Sequence, residues 1–258
     1  MGNNGSVADR ALSFGSVASD YERFRPAYPD VVVDEVLAYA GRRIGTALEI
    51  GAGTGHATRV FAGRGIAVTA TDPDPAMLLE LSKQVPQPVT VVRSSFEALP
   101  HSPDYDLVFA AASLHWTEPE GRWEHVASML RPQGIFASFG GPVRLADPTI
   151  EQVVRDARSE FLAHDDVPSP DGTPATARMQ WPGTELTRSD LFADVRQLTI
   201  ERRLTMKSPD YIGHLSTVSA YVVLPARVRK RVLSRILEVL PSEVEVAADI
   251  TAHLARVQ

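Results

Sequence analysis

The chain has 258 residues, 44% of them hydrophobic, enough to bury one large core or a core with a small cap. It contains no cysteine, which excludes disulfides, thiolate zinc sites and cysteine nucleophiles and suits a reducing cytoplasm. A formal net charge of -6 gives no reason to expect a basic face that neutralises phosphates, so nucleic acid is not an expected partner; nor does any apolar run approach the ~20 residues of a membrane span.

Met1 to Ser13 reads as a flexible leader without the basic-then-apolar order of a secretory signal. Residues 14–258 read as a single domain, with its core over 42–141 and a cap with C-terminal strands over 142–258. Within Phe14 to Ala40, the spacing of Val33, Val36, Leu37 and Ala40 predicts a helix that covers the sheet. From Thr46 onward, short apolar runs alternate with amphipathic stretches. Strands are expected at 47–50, 66–71, 89–92, 107–111 and 135–139, and helices at 54–62, 75–84 and 118–130. Asp74 caps the second of these helices, with Pro75 at its first position, and Pro132-Gln133-Gly134 forms a turn into the fifth strand. This order predicts an α/β fold built on a doubly wound, mostly parallel sheet. Beyond it, Pro148 to Phe161 reads as helix, and Val167 to Pro182 as a loop long enough to serve as a lid. Leu198, Ile200 and Leu204 suggest a strand, Ser208-Pro209 opens a helix and 227–240 forms another. Ile250 to Leu254 alternates like a closing antiparallel edge strand.

The strongest signal is Leu48-Glu49-Ile50-Gly51-Ala52-Gly53-Thr54-Gly55, a strand running into a glycine turn that opens a helix. Glycines there let the backbone approach a ligand closely. In the dinucleotide fingerprint the third glycine would fall at position 56, where this chain has His56, and the glycine comes one residue early, which counts against a pyrophosphate. Asp72, about 20 residues past the turn at the end of the second strand, is placed to accept from both ribose hydroxyls of a nucleoside. That carboxylate does not by itself separate a nicotinamide cofactor from S-adenosylmethionine.

Together with Tyr21-Glu22-Arg23-Phe24-Arg25-Pro26-Ala27-Tyr28-Pro29, Thr71-Asp72-Pro73, Arg93 to Pro100, Asp106 to Trp116 and Leu130 to Gly134, the turn makes the sequence resemble the small-molecule branch of class I S-adenosylmethionine-dependent methyltransferases, including the trans-aconitate methyltransferase-like group. The likeness covers most of the chain. It implies a Rossmann-like, seven-stranded methyltransferase fold. It further implies that Gly51, Ala52, Gly53 and Gly55 wrap the methionine part of the cofactor. Glu49 would support the turn or receive the ammonium through water. Asp72, followed by Pro73, would hold the ribose, and Met77 would pack on the adenine face. Ser95 and the Phe96 amide would meet the adenine's polar edge, the backbone near Ala111 would accept from its amino group, and Tyr21 and Arg25 would cap the carboxylate. Many relatives have Asp where Ser95 stands, so a weaker or water-bridged adenine contact is expected here.

Methyl transfer needs an acceptor lone pair in line with the sulfonium, and positioning in a water-poor pocket supplies much of the rate. A hydroxyl acceptor needs a base, for which His115 is the candidate by type and place; a carboxylate acceptor needs none. The acceptor site is expected from Trp116, Trp181, Tyr211, His214 and Ser219, holding a small molecule, with no metal involved. Arg144, Arg155 and Arg158 could serve an acidic acceptor, although the last two, three apart on one helix, read more readily as a solvated face. Rival readings are a nicotinamide-dependent oxidoreductase and a non-catalytic S-adenosylmethionine-binding protein. The sequence is compatible with a monomer or a homodimer.

Overall fold

The computed structural model describes residues 12–85, 88–162 and 169–258. Ten strands are found among them: β1 (Thr46–Ile50), β2 (Ala67–Asp72), β3 (Val89–Arg93), β4 (Tyr105–Ala111), β5 (Leu130–Gly140), β6 (Arg144–Leu145), β7 (Phe192–Ile200), β8 (Arg203–Lys207), β9 (Glu243–Ala247) and β10 (Ile250–Val257). Seven of them form one sheet in the order β3-β2-β1-β4-β5-β10-β7. The first five run parallel, with Leu48 opposite Thr69 on one side and Val108 on the other. β10 is antiparallel to both its neighbours, Leu254 facing Ala137 and Arg196. Chain order reverses between β1 and β4, and in an open α/β sheet such a switch point leaves a crevice beyond the strands' carboxyl ends.

The helices are α1 (Ala18–Phe24), α2 (Asp30–Ala40), α3 (His56–Ala62), α4 (Pro75–Gln84), α5 (Arg122–Met129), α6 (Pro148–Arg158), α7 (Gly183–Arg188), α8 (Ser208–Ser216), α9 (Ser219–Val222) and α10 (Ala226–Val239). One face of the large sheet buries Val33 and Val36 of α2, Phe61 of α3 and Leu81 of α4. The other buries Val126 and Met129 of α5 and Leu186 of α7, so the sheet is doubly wound. The Asp74 carboxylate accepts from the Ala76 N–H at the start of α4, a cap contributing ~1 kcal/mol. β6, β9 and β8 form a separate three-stranded antiparallel sheet. With α6, α8 and α10 it encloses a core of its own around Val154, Tyr211, Val232, Ile236 and Val246.

Several sequence expectations are corrected. The expected edge strand at Ile250 to Leu254 is an inner one, because β7 pairs along its outer side. The buried His253 finds its partner within the protein: its Nε2 lies 3.0 Å from Gln197 Oε1 on β7. The single strand drawn through Leu198 and Leu204 is two, belonging to different sheets, and the chain turns between them where the Arg202 N–H donates to Asp249 Oδ1. The helix expected from residue 118 begins at Arg122, after Pro119 and a left-handed Gly121. The turn at 132–134 lies inside β5 as an irregularity with Gln133 at a φ of 61°. β6 and β9 were not expected. Of the expected leader, residues 1–11 lie outside the described residues, while Leu12–Val17 forms a 3-10 helix. Val167 and Pro168, the start of the expected lid loop, also lie outside them; residues 169–182 form no strand or helix.

Candidate active site

The glycine turn sits at the switch point. Gly51 and Gly53 both have positive φ, 64° and 56°, which side-chain-bearing residues adopt at a cost. A Cβ on Gly51 would lie 2.6 Å from the Ser113 Cβ, whereas one on Gly53 would meet nothing within 4 Å among the described residues. The first glycine therefore lets the turn pack against the β4 loop, and the second opens backbone to the cavity. The Gly53 N–H donates to Asp72 Oδ2 at 2.9 Å and the Asp74 N–H donates to Oδ1 at 2.8 Å. Burial pushes the Asp72 carboxyl up, and these two donors oppose that shift. Asp72 is thereby fixed with one edge of its carboxylate against the turn while its side chain lines the cavity.

That cavity has a volume of about 1510 Å³. It exceeds the ~300–1,000 Å³ of a usual single-ligand pocket, leaving room for two ligands side by side. Near the turn its walls are Gly51, Gly53, Asp72, Pro73 and Met77, followed by Ser95, Phe96 and Ala111. Tyr21 and Arg25, on and just after α1, close it from above, and Phe14 packs edge-on against both Tyr21 and Trp116. Three residues assigned to the cofactor by resemblance do not line it. Ala52 is buried, its N–H donating to the Thr71 carbonyl at 2.8 Å. Gly55 faces Leu81. Glu49 is 1% exposed, its Oε2 accepts from the Thr58 hydroxyl at 2.5 Å, and its Oε1 has no hydrogen-bond partner among the described residues. Burial raises its pKa to about 8, so at neutral pH the carboxyl is mostly protonated. The structure thus places Glu49 beneath the turn, tying β1 to α3.

His115 and Trp116 lie on the 3-10 turn Leu114–Trp116 after β4, and both line the cavity. Burial, with the nearby positive charge of Arg122, lowers the His115 pKa to about 4, so the imidazole is neutral across the physiological range. Arg122 is a residue the sequence reading missed. It is 2% exposed and grips the end of this turn, Nε donating to Thr117 Oγ1 and Nη2 to the Thr117 carbonyl, both at 2.7 Å. Its guanidinium also lies 5.4 Å from the Trp181 ring centre. Glu185 accepts from Trp123 Nε1 at 2.9 Å and pairs with Arg122 at 3.4 Å. No local motif announces this cluster, because its members come from α5, α7 and two loops.

The far part of the cavity brings together Trp181, Tyr211, His214 and Ser219, as expected. Trp181 Nε1 and His214 Nδ1 are buried without a hydrogen-bond partner among the described residues. Burial and then the charge of Arg25 lower the His214 pKa to about 3. Arg144, Arg155 and Arg158 also line this part. The expectation of a solvated face fails for Arg158, which is 7% exposed, 3.8 Å from Glu151 Oε1 and 3.5 Å from the Tyr221 hydroxyl. At position 56, where a dinucleotide loop has its third glycine, His56 is 3.2 Å from Glu22 of α1, and Arg59 is 3.0 Å from the same carboxylate.

A doubly wound sheet with this strand order, a glycine turn at its switch point and an acid ending β2 define a nucleoside-binding α/β protein. The glycine spacing and the adjoining second compartment fit a cofactor-dependent transferase. A family model described as a methyltransferase domain matches residues 48–138. An uncharacterised methyltransferase of Mycobacterium tuberculosis is 32% identical over 236 residues, 91% of this chain and 88% of the relative. A solved structure from Anaeromyxobacter dehalogenans, provisionally a type II methyltransferase, aligns with a TM-score of 0.66 and 26% identity over 90% of this chain and 98% of that one. An N-methyltransferase of Haemonchus contortus, solved with S-adenosylhomocysteine, shares the fold at a TM-score of 0.55 and 14% identity, covering 98% of this chain and 60% of that one. The chain belongs to the class I S-adenosylmethionine-dependent methyltransferases, and S-adenosylmethionine is its cofactor. No helix among the described residues is long and apolar enough to cross a membrane.

Proposed function

We propose that the protein transfers the cofactor's methyl group to a small organic acceptor bound between the Leu114–Trp116 turn, the 169–182 loop and α8. The observation that carries this is the cavity itself, which continues from the glycine turn past His115 to Trp181, Tyr211 and His214. In this reading Asp72 accepts from the ribose hydroxyls, Met77 and Phe96 flank the adenine, and Ser95 meets its edge. Tyr21 and Arg25 hold the carboxylate. When bound, the cofactor supplies an electrophilic methyl on a sulfonium.

An acceptor held in the second compartment would present its lone pair to that methyl, and S-adenosylhomocysteine would be the leaving product. The acceptor's proton passes to the neutral imidazole of His115. A protonated methyl ether is far more acidic than an imidazolium with a pKa of about 4, so a base this weak is adequate once the new bond has begun to form. The aromatic side chains Tyr21, Trp116 and Trp181 that line the cavity would limit water around a bound sulfonium. A carboxylate acceptor is the second reading, favoured by Arg144 and Arg158 on the far wall, and it needs no base.

Incubation with methyl-labelled cofactor and a fractionated metabolite extract tests the proposal. Label should enter a small-molecule fraction, and entry only into protein or nucleic acid would contradict it. With the acceptor found, His115→Ala lowers turnover sharply for a hydroxyl and leaves it nearly intact for a carboxylate.

A further inference from the structure

Arg25 and Thr217 are 192 residues apart and meet where α1 packs against the end of α8. Arg25 Nε donates to Thr217 Oγ1 at 2.9 Å, and Nη2 donates to the Thr217 carbonyl at 2.7 Å. The Thr217 hydroxyl donates to the His214 carbonyl at 2.7 Å. The packing is close: a Cβ on Gly213 would sit 2.5 Å from the Phe24 ring. Thr217 is 0% exposed and does not line the cavity, whereas Arg25 and His214 do.

A guanidinium has two edges, each able to present a pair of parallel donors. Thr217 occupies the Nε–Nη2 edge. Nη1, on the other edge, makes no hydrogen bond among the described residues, and the guanidinium lies 4.9 Å from the Tyr21 ring centre. Holding a long side chain in one rotamer before a ligand arrives removes an entropy cost from binding.

We propose that Thr217 is a positioning residue that aims the open edge of Arg25 at the amino-acid carboxylate of the cofactor and, through the His214 carbonyl, ties that contact to the wall of the acceptor compartment. This rests on the methyltransferase reading of the cavity. It makes α8 part of the cofactor site, although no cofactor motif reaches that far along the chain.

Calorimetry with two probes tests it: S-adenosylhomocysteine, and 5′-methylthioadenosine, which keeps the nucleoside and sulfur but lacks the amino-acid arm. Thr217→Val removes the hydroxyl at nearly constant shape. It should weaken S-adenosylhomocysteine by about 10-fold or more and 5′-methylthioadenosine by less than about 3-fold, the selective loss expected when a charge-assisted contact is misplaced. Thr217→Ser should restore S-adenosylhomocysteine to within about 3-fold of the wild type, because the hydroxyl returns. Arg25→Lys, which keeps the charge but cannot form the fork, should show the same selective loss and serves if the valine variant does not fold. Equal loss of both probes, no loss of either, or a serine variant as weak as the valine one would overturn the role of Thr217. Failure of the wild type to bind either probe is a different result and would overturn the methyltransferase reading instead.

Discussion

Replacing Glu49 by Gln separates support of the glycine turn from contact with the cofactor. The folded carboxyl has a pKa of about 8 against its ordinary 4.5, with burial the largest cause. A raised folded pKa means that stability is fully present below the unfolded value and is lost as pH rises toward the folded one. Between pH 4.5 and 8 the unfolded chain has released this proton while the folded protein keeps it, at about 1.4 kcal/mol per unit. At pH 7 the accumulated cost is therefore about 3 kcal/mol. Glu49→Gln stays neutral at every pH, and its carbonyl can still accept from Thr58. Urea denaturation of both proteins from pH 5 to pH 8 should show the variant gaining on the wild type as pH rises, by about 2 to 4 kcal/mol at the upper end. Since Glu49 does not line the cavity, S-adenosylhomocysteine affinity should change by less than about 3-fold. Parallel stability curves would refute the buried, protonated carboxyl; a large loss of affinity would show that Glu49 faces the cofactor's ammonium after all.

Asp72→Ala removes the acceptor proposed for the ribose hydroxyls, and should weaken S-adenosylhomocysteine by about 1 to 3 kcal/mol in calorimetry; unchanged affinity would count against the ribose assignment. Gly51→Ala forces a side chain into a left-handed conformation and against Ser113, so the melting temperature should fall by several degrees and cofactor binding should be lost, the backbone term alone being ~1–2 kcal/mol. With a hydroxyl acceptor, kcat/KM should show no histidine titration between pH 6 and 8, because His115 is neutral above its pKa of about 4 and loses its basic form only below it. A step near pH 6.5 that vanishes in His115→Ala would contradict the buried environment.

The parts of the fold that were legible depend on short stretches of chain. A β-strand, a glycine turn and a helix follow one another in Leu48 to Ala62, so their order alone announces the cofactor end of the site. Asp72 could be placed because it ends the next strand. His214 and Tyr211 were named from residue type, but their burial depends on the cap sheet, whose two-residue strand β6 carries almost no sequence signal. The inner position of β10 was hidden for a related reason: its polar residues suggested solvent, while the partner of His253 lies on β7, over 50 residues away. Arg158 looked like surface for the same cause. Arg25 was tied to the cofactor by resemblance, but its grip on Thr217 joins positions that no local pattern links.

We propose that the Gly51–Gly53 backbone and the Asp72 carboxylate hold the sulfonium nucleoside. A crystal structure of the protein with S-adenosylhomocysteine tests it most directly. The ribose oxygens should lie within hydrogen-bonding distance of Asp72, the adenine between Met77 and Phe96, and the sulfur should face the compartment lined by His115 and His214. Density for the ligand elsewhere, or a crevice that stays closed to it at saturating concentration, would rule out this cofactor site.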